Sequence, residues 1–157
     1  MKKEMRRKAD IEGFRLPTYS EIPDVGLFLD QVSKYISMSL YPLGNITCTS
    51  SMISNYVKKG LVRNPVRKQY DRSQIAALFL ISIYKNSVIL EDLAKIVPKE
   101  SDLVEKQYRQ FAPYYEAKLR EIFFKEAAES DADLPELLQT VVTSSVYKTY
   151  IDSCFVE

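Results

Sequence analysis

Apolar residues recur every three or four positions along most of the chain, which predicts a mainly α-helical fold. The first such stretch gives an amphipathic helix from about Asp24 to Leu40, and Pro23 precedes its first turn. A connector over Tyr41 to Thr49 should follow, because Pro42 and Gly44 interrupt the helical pattern.

A second, short helix is predicted from Ser51 to Lys59. Thr49 or Ser50 can cap its first amides, and Gly60 follows its last turn, where a left-handed residue is needed. Helical spacing turns Ile53, Tyr56 and Val57 inward. It turns small polar and basic residues outward, namely Ser51, Ser54, Asn55 and Lys58.

Two further helices are predicted in the middle of the chain. The first runs from Arg72 to Tyr84 with Asp71 as its cap, and its apolar residues face a core. The second is short, from Leu90 to Val97, and ends before Pro98.

Residues 99–157 are predicted to be helical, acidic and rich in large apolar side chains. Ser101 can cap a helix that Pro113 should break or kink. Asp133 and Glu136 have the spacing of an N-terminal capping box for the last helix.

Charge is distributed unevenly, although the net charge is only +1. Residues 1–90 contain 14 basic and 7 acidic side chains, whereas residues 91–157 contain 8 basic and 14 acidic ones. From Asn45 to Tyr70 there are five basic residues and no acidic one. A segment whose charged residues are all basic can bind the phosphate backbone of a nucleic acid, although surface helices are often basic by chance.

Catalysis has little support in the composition. Without histidine the chain lacks the commonest general base, and it has no phosphate-binding glycine motif. Cys48 and Cys154 are far apart and have no metal-ligand spacing. We therefore predict a protein that is not an enzyme and that needs no metal and no cofactor.

A series of positions resembles the DNA-binding half of MerR-type regulators, over about Pro23 to Val97. In order, they are Ile53, Tyr56, Gly60-Leu61, Pro65, Arg67, Lys68, Tyr70-Asp71, Leu78, Ile81 and Leu90-Glu91-Asp92-Leu93. The chain also resembles a Gram-positive bacterial family of uncharacterised MerR-related proteins, described as a domain of unknown function. The resemblance implies a MerR-like winged helix-turn-helix domain over residues 21–98, followed by a C-terminal helical extension over residues 99–157. The wing should be reduced, because few residues separate Pro65 from Tyr70.

The resemblance and the helix geometry together place the second helix in the major groove of double-stranded DNA. The expected DNA-binding residues are Ser51, Ser54, Asn55, Tyr56, Lys58, Lys59, Arg63, Arg67, Lys68 and Tyr70. Asn55 is the candidate for base readout, because its amide can pair bidentately with adenine. Lys59, Arg63, Arg67 and Lys68 are expected to contact phosphates. Tyr56 fits either a phosphate contact or a core position, and the family commonly has arginine where this chain has Ser54.

The sequence leaves several alternatives open. The helix-turn-helix fold could instead serve a protein-protein interaction adaptor that has lost DNA binding. The apolar stripe of residues 99–157 fits a core, a homodimer interface as in MerR-type proteins, or an effector pocket. The candidate pocket residues are aromatic: Tyr108, Phe111, Tyr114, Tyr115, Phe123 and Phe124.

The beginning of the chain is strongly basic, and residues 1–20 are predicted to form a solvated, partly disordered arm; the alternative is an ordered arm that lies on DNA. No run of 18 apolar residues occurs, so no membrane span is expected, and we predict a cytoplasmic protein.

Overall fold

The computed structural model describes residues 8–126 and 133–155, and it is mainly helical. Within these residues, the main helices are α1 (Leu29–Leu40), α2 (Ser50–Lys58), α3 (Arg72–Tyr84), α4 (Leu90–Ile96), α5 (Ser101–Phe124) and α6 (Glu136–Cys154). Strands β1 (Leu27–Phe28) and β2 (Gln69–Tyr70) form a small antiparallel sheet. Residues 8–12 are helical, and 3-10 turns occur at Tyr19–Glu21 and Tyr41–Leu43.

Helix α3 lies at the centre of the molecule, with every residue from Ser73 to Tyr84 buried. It packs against α1, α5 and α6, so one apolar core joins the two halves of the chain. The predicted cap is confirmed: Asp71 accepts a hydrogen bond from the backbone N–H of Gln74 at 2.9 Å, and the backbone N–H of Asp71 donates to Oε1 of Gln74 at 2.7 Å. The helix therefore begins at a fixed point despite its uniform apolar character.

Helix α1 begins at Leu29, five residues later than the predicted Asp24. The preceding residues form β1, in which Leu27 pairs with Tyr70 and Phe28 pairs with Gln69. Gly26 has φ of +79°, and a Cβ atom there would lie 2.7 Å from Oε1 of Gln69. The chain therefore turns into a strand where helical spacing alone predicted a first turn.

Helix α5 continues through Pro113, so the predicted break is absent. Proline removes the hydrogen bond to the carbonyl of Arg109 and its ring crowds that carbonyl, but the neighbouring Ala112 and Tyr114 are buried against the core. Ser101 is the first helical residue and not the cap; Glu100 occupies the cap position without a side-chain hydrogen bond.

Helix α6 begins at Glu136, and the capping box predicted from Asp133 is absent. Pro135 occupies the cap position and makes no side-chain hydrogen bond. A residue before proline is disfavoured in the helical region, which prevents the helix from starting earlier. None of the helices in the described ranges combines the length and apolar character needed to cross a membrane.

Residues 8–20 are packed on the core instead of forming the predicted solvated arm. Ile11, Phe14 and Leu16 are buried, and the ring of Phe14 meets Tyr115 edge-on at 6.5 Å between centroids. The backbone N–H of Leu16 donates to Oε1 of Glu116 at 2.8 Å. The first seven residues of the predicted arm lie outside the described part of the chain.

The aromatic residues of α5 mostly belong to the core, which favours that interpretation over an effector pocket. Tyr108, Phe111 and Tyr115 are completely buried, and the rings of Phe111 and Tyr115 stack at 5.4 Å. Tyr114 and Phe123 are also buried. Phe124 is half-buried and packs against the same core.

Candidate nucleic-acid interface

Helix α2 has the two faces predicted for it. Its first amides are capped by Thr49, whose Oγ1 accepts from the N–H of Met52 at 3.1 Å. Ile53 is buried, whereas the polar and basic residues of the other face are exposed, namely Ser51, Ser54, Asn55 and Lys58. The exposed face contains no carboxylate, so it can approach an anionic backbone or a base edge.

The end of α2 is a Schellman motif. The N–H of Leu61 donates to the carbonyl of Tyr56 at 2.9 Å, and the N–H of Gly60 donates to the carbonyl of Val57 at 3.0 Å. Gly60 has φ of +77°, which confirms the predicted left-handed position. Lys59 is exposed at this end, and the buried Leu61 returns the chain to the core.

After α2 the chain forms a tight hairpin turn over Val66 to Gln69. Val66 and Gln69 exchange two backbone hydrogen bonds of 3.1 and 2.9 Å. The central residues Arg67 and Lys68 have φ of 53° and 63°, so the turn has the left-handed character of a type I′ turn. Both side chains are exposed at the tip. Such turns normally contain Asn-Gly, and left-handed backbone costs other residues roughly 1 to 2 kcal/mol each.

The base of this hairpin is attached to the start of α3. The side chain of Gln74 donates to the carbonyls of Arg63 and Asn64, each at 3.0 Å. The segment that precedes β1 is attached as well, since the N–H of Arg72 donates to Oδ1 of Asp24 at 3.1 Å. The exposed turn is therefore carried by a fixed base.

Arg63 is held by other protein groups, which argues against its predicted role as a phosphate contact. Its guanidinium donates to Oγ of Ser73 at 2.6 Å and to the carbonyl of Lys99 at 3.0 Å, and it lies 3.4 Å from Oδ2 of Asp71. Burial raises the pKa of the Asp71 carboxyl, because it disfavours the charged form. The hydrogen bonds from Gln74 and Ser73 and the charge of Arg63 outweigh this effect and hold the pKa below its usual value. Arg63 thus joins the hairpin base to α3 and to the start of α5.

The two tyrosines among the predicted contacts lie in the core. Tyr56 is 3% exposed and Tyr70 is 4% exposed. Burial raises the pKa of Tyr56 to about 12 and also raises that of Tyr70. For Tyr56 this favours the core alternative, and neither side chain is presented to a ligand on the surface.

The start of α2 has an acidic neighbour that the sequence did not reveal. Oγ of Ser50 donates to Oδ1 of Asp30, at the start of α1, over 2.7 Å. This carboxylate interacts well with the positive end of the helix dipole, but it disfavours a phosphate there. Of the predicted cations, Lys58, Lys59 and the turn residues Arg67 and Lys68 are exposed and available to an anionic ligand.

The described residues contain no group of three or more histidine, cysteine, aspartate or glutamate side chains arranged to hold a metal ion. Cys48 is buried and Cys154 is exposed, and both are free thiols.

Comparison with known proteins places the chain in a family without assigning a function. A family model described as Domain of unknown function (DUF1836) matches residues 17–118. Neither a curated protein nor a solved structure gives a match. Because the family model covers more than half of the sequence, the chain belongs to the DUF1836 family.

Proposed function

We propose that this protein is a DNA-binding transcriptional regulator that places α2 in the major groove and the Arg67-Lys68 turn on the phosphate backbone. The observation that carries the proposal is the conformation of this turn. Two cations occupy left-handed backbone positions where Asn-Gly would cost less free energy. Strain of this kind is retained at functional sites. A projecting pair of cations suits contacts to phosphate.

The MerR-like helix-turn-helix arrangement belongs to the same proposal. The α1–connector–α2 segment is followed by a turn whose β2 strand pairs with β1, in front of α1. This order supports a winged domain with a reduced wing. Asn55 is the proposed base-reading residue, because it is exposed in the middle of the outer face of α2. Ser51, Ser54 and Lys58 complete that face, and Lys59 contacts the backbone beside it.

The test is retention of duplexes from a random pool at two salt concentrations, followed by sequencing of the retained DNA. We expect a motif and a steep loss of retention at the higher salt concentration. Asn55→Ala should erode discrimination between the motif and random DNA. Asn64→Ala removes another exposed asparagine amide and serves as the matched control. Equal losses for Asn55→Ala on both DNAs contradict base reading, and no retention at low salt contradicts the function itself.

A homodimer formed through the C-terminal helices is part of this proposal. The outer face of α6 exposes Leu137, Tyr147 and Ile151, which lie within one arc of the helix. A two-fold motif in the selected DNA and a dimer in light scattering would agree with it. A monomeric protein that selects a single half-site would overturn it.

The second candidate function is a protein-protein adaptor, and one observation favours it. Val25, Phe28 and Val66 are 81%, 50% and 73% exposed. Phe28 pairs with Gln69, and Gln69 bridges to Val66, so the side chains of Phe28 and Val66 flank Gln69 on one face of the small sheet. Exposed apolar residues beside a turn suit a protein partner. This candidate requires that no duplex is retained at low salt.

A further inference from the structure

A cavity of about 700 Å³ lies between α1, the Tyr41–Thr49 connector and the N-terminal segment. Its volume is within the range of small-molecule sites. Ser33 and Ser37 line it from α1, Thr47 lines it from the connector, and Asp10 lines it from the N-terminal segment. None of these four residues belongs to the proposed DNA-contacting set.

Three of the hydroxyl groups in the cavity wall donate their protons to other groups of the protein. Oγ of Ser33 and Oγ of Ser37 donate to the carbonyl of Cys48 at 2.7 and 3.2 Å. Ser50 donates to Asp30. An oxygen that donates its proton inward still has lone pairs that can accept. The wall therefore favours a ligand that brings its own hydrogen-bond donors.

Among the described residues that line the cavity, Asp10 alone is charged. Its carboxylate forms no hydrogen bond or ion pair with the described parts of the chain. Tyr41, also in the lining, is 82% exposed, so its ring face is available to a cation. Lys85 is close by but donates its amino group to the carbonyl of Thr47 and is not part of the lining.

We propose that this cavity binds a small organic amine. The ammonium group pairs with Asp10 and donates to the oxygens of Ser33 and Ser37, and its alkyl part lies against the apolar portion of the wall. A bound amine bridges α1 to the connector that leads into α2. The proposal concerns binding itself and stands whether or not the protein binds DNA.

The experiment is a titration of the full chain, followed by amide resonances in two-dimensional NMR, at constant ionic strength. The probe is 1,4-diaminobutane, and 1,4-butanediol is the neutral control of equal length. We expect the diamine to produce saturable shifts at the amides of Ser33, Ser37 and Thr47. Asp10→Asn should weaken its binding about tenfold or more, since a hydrogen-bonded charge pair is lost.

Glu12→Gln neutralises another exposed carboxylate two positions away and should leave the titration unchanged. Equal shifts with the diol would overturn recognition of the ammonium group. Shifts that do not saturate and spread over the acidic residues 91–157 would show nonspecific association and would also overturn the proposal, as would the absence of any shift.

Discussion

Replacement of the turn residues Arg67 and Lys68 by the Asn-Gly pair tests both the strain in this hairpin and its proposed contact with phosphate. Two residues with φ near +60° each cost roughly 1 to 2 kcal/mol, and Asn-Gly relieves this cost. Glycine loses more backbone entropy on folding, which removes roughly 0.5 to 1 kcal/mol of the gain. The variant should therefore be more stable by roughly 1 to 3 kcal/mol, measured by urea unfolding with linear extrapolation.

The same double replacement should weaken DNA binding. Loss of two phosphate contacts lowers the slope of log K against log salt by about 1.8, because each contact contributes about 0.9. Lys95→Gln with Lys106→Gln removes two exposed cations from the other half of the chain and should leave this slope unchanged. A less stable Asn-Gly variant would refute the strain argument. An unchanged salt slope would refute the phosphate contact.

Two further predictions concern residues beside this surface. Tyr56→Phe should leave DNA affinity unchanged, because the side chain is in the core. Tyr56→Ala should lower the unfolding free energy by about 3 to 5 kcal/mol. A large loss of DNA affinity in Tyr56→Phe would instead support a contact between the tyrosine hydroxyl and phosphate. The pKa of Asp71 in the folded state lies below its value of about 3.9 in the unfolded state. Ionised Asp71 therefore stabilises the fold above about pH 3.9, and this contribution to the unfolding free energy is lost as the pH falls through the folded pKa. In urea unfolding between about pH 5 and pH 2, the unfolding free energy of Asp71→Asn should fall less steeply with decreasing pH than that of the parent protein. Equal slopes for the two proteins would contradict this prediction.

The features of α2 and α3 that could be predicted from the sequence are local ones. A cap, its amide partner and a terminal glycine lie within a few residues of each other, as in Thr49 with Met52 and Asp71 with Gln74. The exposure of Ser51, Ser54, Asn55 and Lys58 follows from helical spacing once Ile53 is buried. These features need no information from distant segments.

The features that were missed depend on distant segments. The start of α1 is set by the pairing of Phe28 with Gln69. The packing of residues 8–20 on the core depends on distant partners such as Glu116. Helix α5 tolerates Pro113 because tertiary burial outweighs one lost hydrogen bond.

The candidate site was predictable in position but not in detail. The outer face of α2 follows from periodicity, whereas the attachment of Arg63 to Ser73 and Lys99 requires the fold. The sequence Arg67-Lys68 has no left-handed preference, so nothing local indicated a type I′ turn. The acidic partner of Ser50 was missed because Asp30 lies 20 residues earlier in the chain.

The burial of α3 on every side has a consequence for synthesis of the chain. The helix ends at Tyr84, but its covering helices α5 and α6 end at Phe124 and Cys154. At about 5 to 20 residues per second, the ribosome needs roughly 4 to 14 s after α3 to complete α6. During that interval an apolar helix emerges without its native neighbours, so the nascent chain depends on chaperones or on transient contacts with α1. A fragment that stops before α5 has the same exposed helix permanently, and we expect it to aggregate.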